Sequence, residues 1–347
     1  MAGLFNLIQD SAYRSIAIVG MTKNVGKTVT FNYLVGQFEK KGQTLGLVSA
    51  GYDGERFDRL TLKDKPRIYA PQGARAATAR ACFEAAEAEL ELIEETELST
   101  PLGPVCLALV KGSGLIELAG PGSATGLKKL VNRMAALGAE YNLVDGAINR
   151  IASASPQVTG ATVLATGASL GPTMEDVVRK TAYRCTLMET PPVEEGALLK
   201  AARDSLARGN AALIRRAENG YLAEPVKAGI PLLAGKQVIE KYCKDTAAMV
   251  IGGALVDEAV ADITALGLVP PPVIVEDATR IFITPGIYNR YISRGGEILV
   301  LNKLNLAAVT LNPTDPGGRG YDPLMFLERM TEALSPCPVF DLVYQAG

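Results

Sequence analysis

Apolar runs and amphipathic segments alternate along the first half of the chain. The apolar runs predict strands near residues 15–20, 44–50, 105–110, 114–119, 141–146 and 161–166. Helical periodicity between them predicts helices near 27–39, 74–90, 124–137 and 173–184. Strands that alternate with helices in this way are typical of a parallel sheet covered on both faces. This half of the chain is therefore predicted to form a mostly parallel, doubly wound α/β sheet.

The pattern changes after Pro191 and Pro192, where a long polar helix is predicted over 195–218. An α/β rhythm resumes near Tyr221. It predicts strands near 248–254, 272–276, 297–301, 307–311 and 338–343, with helices near 256–266 and 322–334. A chain of 347 residues suggests about two domains. We predict a first domain over 1–192, a connecting helix over 193–220 and a second, smaller α/β domain over 221–347.

The segment between the first predicted strand and the first predicted helix carries the strongest chemical signal. It reads Gly-Met-Thr-Lys-Asn-Val-Gly-Lys-Thr from Gly20 to Thr28. A glycine turn that leads into a helix lets backbone N–H groups and the helix dipole hold phosphate oxygens. Lys27 would neutralise the outer phosphates, and the Thr28 hydroxyl would ligate Mg²⁺. The motif thus predicts a P-loop NTPase fold that binds a nucleoside triphosphate with Mg²⁺.

The spacing of this motif is unusual, because five residues separate its glycines and Met21 stands where the first glycine is common. A bare Gly-Lys-Thr occurs by chance at ordinary turns, but the apolar strand before it and the helical run after it favour a phosphate site. The residues predicted to bind the nucleotide are Gly20, Thr22, Lys23, Asn24, Val25, Gly26, Lys27, Thr28 and Val29.

A phosphate loop also needs an acidic group at a neighbouring strand end to hold the metal. Asp145 follows the apolar Leu143 and Val144, and Glu117 precedes a glycine-rich loop. Asp145 is the preferred metal and catalytic residue, since apolar residues that lead into an aspartate suit the carboxyl edge of a buried strand. Asp53, after the second strand, is a third candidate that could reach the metal or the water. Each of these three acids could instead be a solvated group in a turn.

Composition excludes several kinds of chemistry. The chain has no histidine, so imidazole metal ligands and a Ser-His-Asp triad are excluded. Five widely spaced cysteines argue against a disulfide framework. The net charge of −2 gives no case for nucleic-acid binding. Without a secretion signal or a membrane span in the sequence, we expect a soluble, cytoplasmic protein with no membrane partner.

Two families resemble this chain. The loop and the segment around Glu117 are similar to the phosphate loop and metal-binding Glu of dethiobiotin synthetase, although the Lys-Pro of that family is absent after the second strand. A closer resemblance is to the P-loop subunit of the lysine 5,6-aminomutase reactivase. The matching segments are Gly20 to Leu34, Gly51 to Arg56, Lys65 to Tyr69, Ala119 to Pro121, Val144 to Ala147, Ser153 to Pro156, Leu164 to Ala168 and Asn312-Pro313-Thr314.

The second resemblance implies an ATPase that lets a damaged cobalamin leave a cobalamin-dependent aminomutase. According to this resemblance, the partners would be the aminomutase and a second reactivase subunit. The loop from Asp53 to Asp58 would transmit the nucleotide state. The residues alone do not separate ATP from GTP, since no Asn-Lys-x-Asp guanine motif occurs. Two alternatives stay open. One is a ligase or kinase of dethiobiotin-synthetase type, and the other is a nucleotide-regulated binding module with negligible turnover.

Overall fold

The fold consists of two units, each with its own sheet. The computed structural model describes residues 3–51, 67–147, 153–194, 196–208, 211–218, 220–226, 239–243, 245–267 and 269–343. The first unit combines Met1–Cys185 with Asn305–Gly347, and the second is Thr186–Leu304. The chain therefore leaves the first unit and returns to it near its C-terminal end.

The first unit contains helices and strands, but runs of successive strands interrupt the predicted alternation. Its helices are α1 (Leu4–Asp10), α2 (Lys27–Lys40), α3 (Arg80–Glu84), α4 (Ala124–Ala136) and α5 (Met174–Met188). Its strands are β1 (Ser15–Gly20), β2 (Leu45–Ser49), β3 (Ile68–Ala70), β4 (Arg75–Ala79), β5 (Glu89–Thr100), β6 (Gly103–Gly112), β7 (Gly114–Ile116), β8 (Tyr141–Ala147) and β9 (Ala161–Gly167).

The second unit contains helices α6 (Gly196–Arg208), α7 (Asp257–Thr264) and α8 (Pro285–Ser293). Its strands are β10 (Ala211–Ala217), β11 (Gly220–Val226), β12 (Thr246–Ile251), β13 (Leu255–Val256), β14 (Val273–Val275), β15 (Ile281–Phe282) and β16 (Ile298–Val300). Five of these strands form a sheet in the order β11-β10-β12-β14-β16, in which β12, β14 and β16 are parallel. The returning segment then adds β17 (Leu306–Asn312), α9 (Pro323–Leu334) and β18 (Val339–Phe340) to the first unit.

In the described parts of the chain, the main sheet has nine strands in the order β18-β17-β9-β1-β8-β2-β4-β6-β5. From β18 to β4 every neighbouring pair is parallel, and β6 then pairs antiparallel with both β4 and β5. The chain is therefore a mixed α/β protein with a large, mostly parallel sheet. This confirms the fold class at that level.

Helices pack on both faces of this sheet. Leu143 lies in a core with residues of α2, such as Phe31 and Phe38. Its neighbour Val144 lies in a second core with Leu127 of α4. Successive side chains of a strand point to opposite faces, so α2 and α4 cover opposite sides. The predicted doubly wound arrangement is present around β1 and β8.

Two predicted helices are wrong in part. Residues 74–90 were expected to be one helix, but they contain β4, the short α3 and the start of β5. Residues 195–218 were expected to be another, but only α6 is helical and β10 follows it. In both places small or apolar residues of good helix propensity are buried inside a sheet, for example Ala77 and Ala212, and tertiary packing overrides the local preference.

The returning segment also changes the predicted division of the chain. β17 pairs with β9, and β18 pairs with β17, so residues 305–347 complete the first sheet. The predicted second domain over 221–347 therefore does not match the units that the contacts define. The predicted connecting helix over 193–220 lies inside the second unit.

Three further features concern the cysteines, the start of α5 and membrane spans. All five cysteines are free thiols, and Cys243 is the one that is not buried. The helix α5 has a side-chain cap, because the Thr173 hydroxyl accepts the Asp176 N–H at 3.2 Å. Among the described helices, none has the length and apolar character that a membrane crossing requires.

Candidate functional site

The phosphate-loop motif lies between β1 and α2, as its sequence context predicts. Gly20 ends β1, and α2 begins at Lys27 with Gly26 as its N-cap. The backbone turns sharply before the helix, with Asn24 at φ 62° and Gly26 at φ 87°. A Cβ on Gly20 would lie 3.1 Å from Val25 Cγ2 and 3.5 Å from Lys27 Cβ. The loop therefore folds back tightly over its own start.

The start of α2 offers hydrogen-bond donors to an anion. The Thr30 N–H binds the Gly26 carbonyl at 2.9 Å and closes the first helical turn. The N–H groups of Lys27, Thr28 and Val29 precede that turn, so the helix itself supplies no carbonyl for them. The N-cap residue is a glycine, which has no side chain that could accept hydrogen bonds from these N–H groups. Together with the positive end of the helix dipole, these groups suit phosphate oxygens.

Lys27 forms an ion pair with Asp145, 118 residues further along the chain. Its Nζ lies 3.0 Å from Oδ1 and 3.2 Å from Oδ2, and the two side chains are 23% and 18% exposed. The sheet explains the meeting, because β8 lies next to β1 with Asp145 opposite Ile18. Asp145 lies near the carboxyl end of β8 and Lys27 begins the helix that follows β1, so the pair lies at the edge where open parallel sheets bind ligands. Two of the predicted functional groups are thus brought together.

Ser49, which sequence reasoning did not single out, also lies beside Asp145. It ends β2, is almost fully buried, and places its hydroxyl oxygen 3.5 Å from Asp145 Oδ2 and 3.3 Å from the Gly51 carbonyl. Its signal in the sequence was only its place at the end of an apolar strand run. The adjacent β2 and β8 bring it beside Asp145 through the pairing of Ser49 with that residue.

The donor set here fits Mg²⁺ by its chemistry. The Asp145 carboxylate, the Ser49 hydroxyl and the Thr28 hydroxyl at the second position of α2 are the hard oxygen ligands that this ion prefers. Within the described parts of the chain, no group of three or more His, Cys, Asp or Glu side chains could hold a metal. A metal at this corner would therefore need phosphate and water oxygens as further ligands, which is how Mg²⁺ binds in nucleotide sites.

Glu117 lies just after β7, in a segment that borders the same edge of the sheet. Its carbonyl accepts the Thr78 hydroxyl at 2.8 Å, and that hydroxyl accepts the Ala119 N–H at 2.9 Å. A Cβ on Gly120 would lie 1.9 Å from the Ser49 carbonyl oxygen, so the segment presses against the end of β2. Whether Glu117 or Asp145 serves the metal stays a prediction.

The third acidic candidate, Asp53, lies outside the described residues, as does the segment to Asp58. The described part of that turn ends at Gly51, whose N–H binds the Pro121 carbonyl at 3.0 Å. The proposed role of Asp53 therefore stays a prediction from the sequence.

The phosphate loop has a further neighbour that is not among the predicted site residues. Asn312 ends β17, and its side-chain amide donates to the Asn24 carbonyl at 2.9 Å. The position of β17 one strand away from β1, across β9, explains why its end reaches the phosphate loop.

Comparisons with known proteins assign no family. No family model and no curated protein matches the chain. A solved structure with some similarity is the signal recognition particle receptor FtsY from Elizabethkingia anophelis. It is 11% identical, with 94% of this chain and 70% of that chain covered, and the TM-score is 0.26. A likeness this weak carries no conclusion, so the function is inferred from the site itself.

Proposed function

We propose that this protein is a P-loop NTPase that binds and hydrolyses a magnesium nucleoside triphosphate at the loop from Gly20 to Thr28. The observation that carries the proposal is the meeting of Lys27 and Asp145 at 3.0 Å, at the amino end of α2. A cation and an anion from distant parts of the chain converge there, beside backbone donors that suit phosphate. That is the combination of groups that phosphoryl transfer requires.

Each group has a distinct task in this proposal. The loop N–H groups hold the phosphate oxygens, and the Lys27 ammonium moves from Asp145 toward the outer phosphates when the nucleotide enters. Thr28 and Asp145 hold Mg²⁺, directly or through water, and the bound ion neutralises charge that develops on the phosphates. Asp53 is the candidate to orient the attacking water.

The more specific role we propose is that of the ATP-hydrolysing component of a reactivating factor for a cobalamin-dependent amino-acid aminomutase. Its support is the sequence resemblance over the segments given above, chiefly Gly20 to Leu34 and the two strand ends at Gly51 and Asp145. In such a factor the turn from Asp53 to Asp58 would change with nucleotide state and act on the partner.

Nucleotide binding is tested by calorimetric titration of ATP and GTP in the presence of Mg²⁺. Lys27→Ala should weaken binding of the preferred nucleotide by at least about tenfold, which corresponds to one charge-assisted contact. Lys40→Ala, at the opposite end of α2, removes a lysine from the same helix and should leave binding unchanged. If the wild type binds neither nucleotide, the proposal is wrong.

The reactivase role needs a separate experiment. Hydrolysis is measured with and without a cobalamin-dependent aminomutase, and co-purification of the two proteins is measured with ATP, without ATP and with Lys27→Ala. Association that changes with ATP, and is lost or locked in the variant, would support the role. If association is the same with and without ATP and in the Lys27→Ala variant, the reactivase role is refuted. Turnover that requires an added small carboxylate or amine and no protein partner would instead favour the ligase or kinase alternative.

A further inference from the structure

The end of β17 reaches the phosphate loop from a part of the chain that lies almost 300 residues away in sequence. β17 is parallel to β9, with Asn312 paired to Gly167 at the carboxyl end of both strands. A Cβ on Gly167 would lie 2.4 Å from the Asn312 carbonyl oxygen. Only glycine permits this close approach, which places the Asn312 side chain beside the loop.

Asn312 contacts the two residues of the loop whose backbone is left-handed. Its Nδ2 donates to the Asn24 carbonyl at 2.9 Å, and its Cβ lies 3.2 Å from where a Cβ on Gly26 would stand. Within the described parts of the chain, Asn24 is the one non-glycine residue with a positive φ. That conformation costs free energy for residues other than glycine, although asparagine tolerates it better than most. A hydrogen bond to its carbonyl stabilises the turn.

The orientation of the Asn312 amide is fixed by Thr314. The Thr314 N–H and hydroxyl both donate to Asn312 Oδ1, at 3.3 Å and 3.1 Å. The oxygen of the amide therefore faces Thr314, and the nitrogen faces the Asn24 carbonyl. A flipped amide would oppose donor to donor on one side and acceptor to acceptor on the other.

A second side chain of β17 holds the other end of the same turn. Thr310, two residues before Asn312 and thus on the same face of the strand, pairs its hydroxyl with that of Thr30 at 2.9 Å. The Thr30 hydroxyl also lies 3.2 Å from the Gly26 carbonyl. The turn from Asn24 to Gly26 is therefore bound to β17 at both ends.

We propose that Asn312 is a positioning residue for the phosphate loop. It holds Asn24 in the left-handed conformation, and this keeps the N–H groups at the start of α2 directed toward the phosphates. The proposal rests on the proposed nucleotide function and adds to it a residue that acts through Asn24, without contact to the base. Affinity for the phosphate chain alone should therefore depend on Asn312.

The test compares Asn312→Ala with Asn305→Ala. Asn305 precedes β17 at its other end, and its Nδ2 donates to the Gly160 carbonyl at 2.9 Å, so each variant loses an amide-to-carbonyl hydrogen bond of equal length, and Asn312→Ala also loses the two bonds that Thr314 donates to Oδ1. Binding of ATP, GTP and tripolyphosphate, each with Mg²⁺, is measured by calorimetry, and stability is measured by urea unfolding. Asn312→Ala should weaken tripolyphosphate and the preferred nucleotide by the same factor, about tenfold. Asn305→Ala should also lose stability but should bind like the wild type.

Thr314→Val provides a second variant, because it removes the hydroxyl that helps to orient the amide and because the position is exposed. It should weaken both ligands by about threefold. A loss confined to the nucleotide, with tripolyphosphate unchanged, would make Asn312 a base contact and overturn the proposal. Unchanged affinity in both Asn312→Ala and Thr314→Val would overturn it as well. A wild type that binds none of the three ligands would refute the proposed nucleotide function instead.

Discussion

At the scale of single residues, the pair of Lys27 and Asp145 has two possible partners for each charge. In the structure the ammonium and the carboxylate satisfy one another at 3.0 Å while both remain partly exposed. A triphosphate would compete with Asp145 for Lys27, and Mg²⁺ would compete with Lys27 for Asp145. Binding the two together exchanges one ion pair for two, which is why the metal and the nucleotide are expected to bind cooperatively.

This exchange predicts how Asp145→Asn changes the response to metal. Wild-type affinity for the nucleotide should fall when EDTA removes Mg²⁺, since a charge that shields the phosphates is lost. Asp145→Asn should shrink the ratio of affinities with and without Mg²⁺ by about tenfold, because the amide holds the ion poorly and no longer competes for Lys27. Calorimetry with Mg²⁺ or EDTA measures the ratio.

Glu94→Gln is the matched control, since Glu94 pairs with Arg133 at 2.8 Å on the surface of the same sheet. It should leave the ratio unchanged. If Asp145→Asn also leaves it unchanged while Glu117→Gln reduces it, then Glu117 holds the metal and the preference for Asp145 is wrong.

The two glycines at the ends of α2 give a second prediction for single residues. Gly26 and Gly42 both have left-handed backbones, at φ 87° and φ 68°. Alanine at either position should cost about 1–2 kcal/mol of unfolding free energy. Only Gly26→Ala should also weaken nucleotide binding, because its Cβ would press on Asn312 at 3.2 Å, whereas nothing lies within 4 Å of a Cβ on Gly42. Urea unfolding of both variants measures the cost of backbone strain, and calorimetry measures nucleotide binding. Equal binding by the two variants would contradict this reasoning.

At the scale of elements, the sequence predicts strands and helices well where the periodicity and the burial agree. β1, β2, β8 and β9 were predictable because each is a short apolar run, and the phosphate loop followed from its place between β1 and α2. β4 was misread as helix because Ala76, Ala77 and Ala79 favour helices locally, yet they are fully buried between neighbouring strands. Contacts such as Asn312 with Asn24 depend on the order of strands in the sheet, which local patterns do not contain.

The glycine loop before α4 gives a prediction at this scale. A Cβ on Gly120 would stand 1.9 Å from the Ser49 carbonyl oxygen, and backbone cannot move aside as a side chain can. Gly120→Ala should therefore cost about 2–3 kcal/mol of unfolding free energy and weaken Mg²⁺-dependent binding by displacing Ser49 from Asp145. Gly122→Ala, in the same loop, meets nothing within 4 Å and should change stability by no more than about 0.5 kcal/mol. Thermal unfolding of the two variants measures this difference in stability. If Gly120→Ala is as stable as the wild type, this segment does not pack tightly on β2 in solution.

At the scale of the whole molecule, the second unit is an insertion into the first. Segments near the two ends of this unit pair in parallel, since the Val193 N–H binds the Val300 carbonyl and the Val300 N–H binds the Pro191 carbonyl, both at 2.9 Å. The first unit is completed only by the segment after Leu304. Ala308, Phe340 and Leu342 of that segment belong to the same core as α2. The phosphate loop is thus held by residues from both ends of the chain.

This arrangement predicts opposite results for two shortened chains. A fragment of residues 1–192, which follows the boundary expected from the sequence, lacks β17 and β18, so it exposes the edge of β9 and part of the core. It should fail to unfold cooperatively in urea and should not bind the nucleotide. A chain that joins residues 1–189 to 304–347 through about fifteen Gly and Ser residues restores both strands, and the linker has this length because the segments near the two cut ends run parallel, so that the ends point in opposite directions. This joined chain should unfold cooperatively and bind within about threefold of the full-length protein, since each residue that contacts the loop is retained. If the 1–192 fragment folds cooperatively and binds the nucleotide fully, then the first unit does not need β17. In that case the contact of Asn312 with the phosphate loop is not needed for binding either.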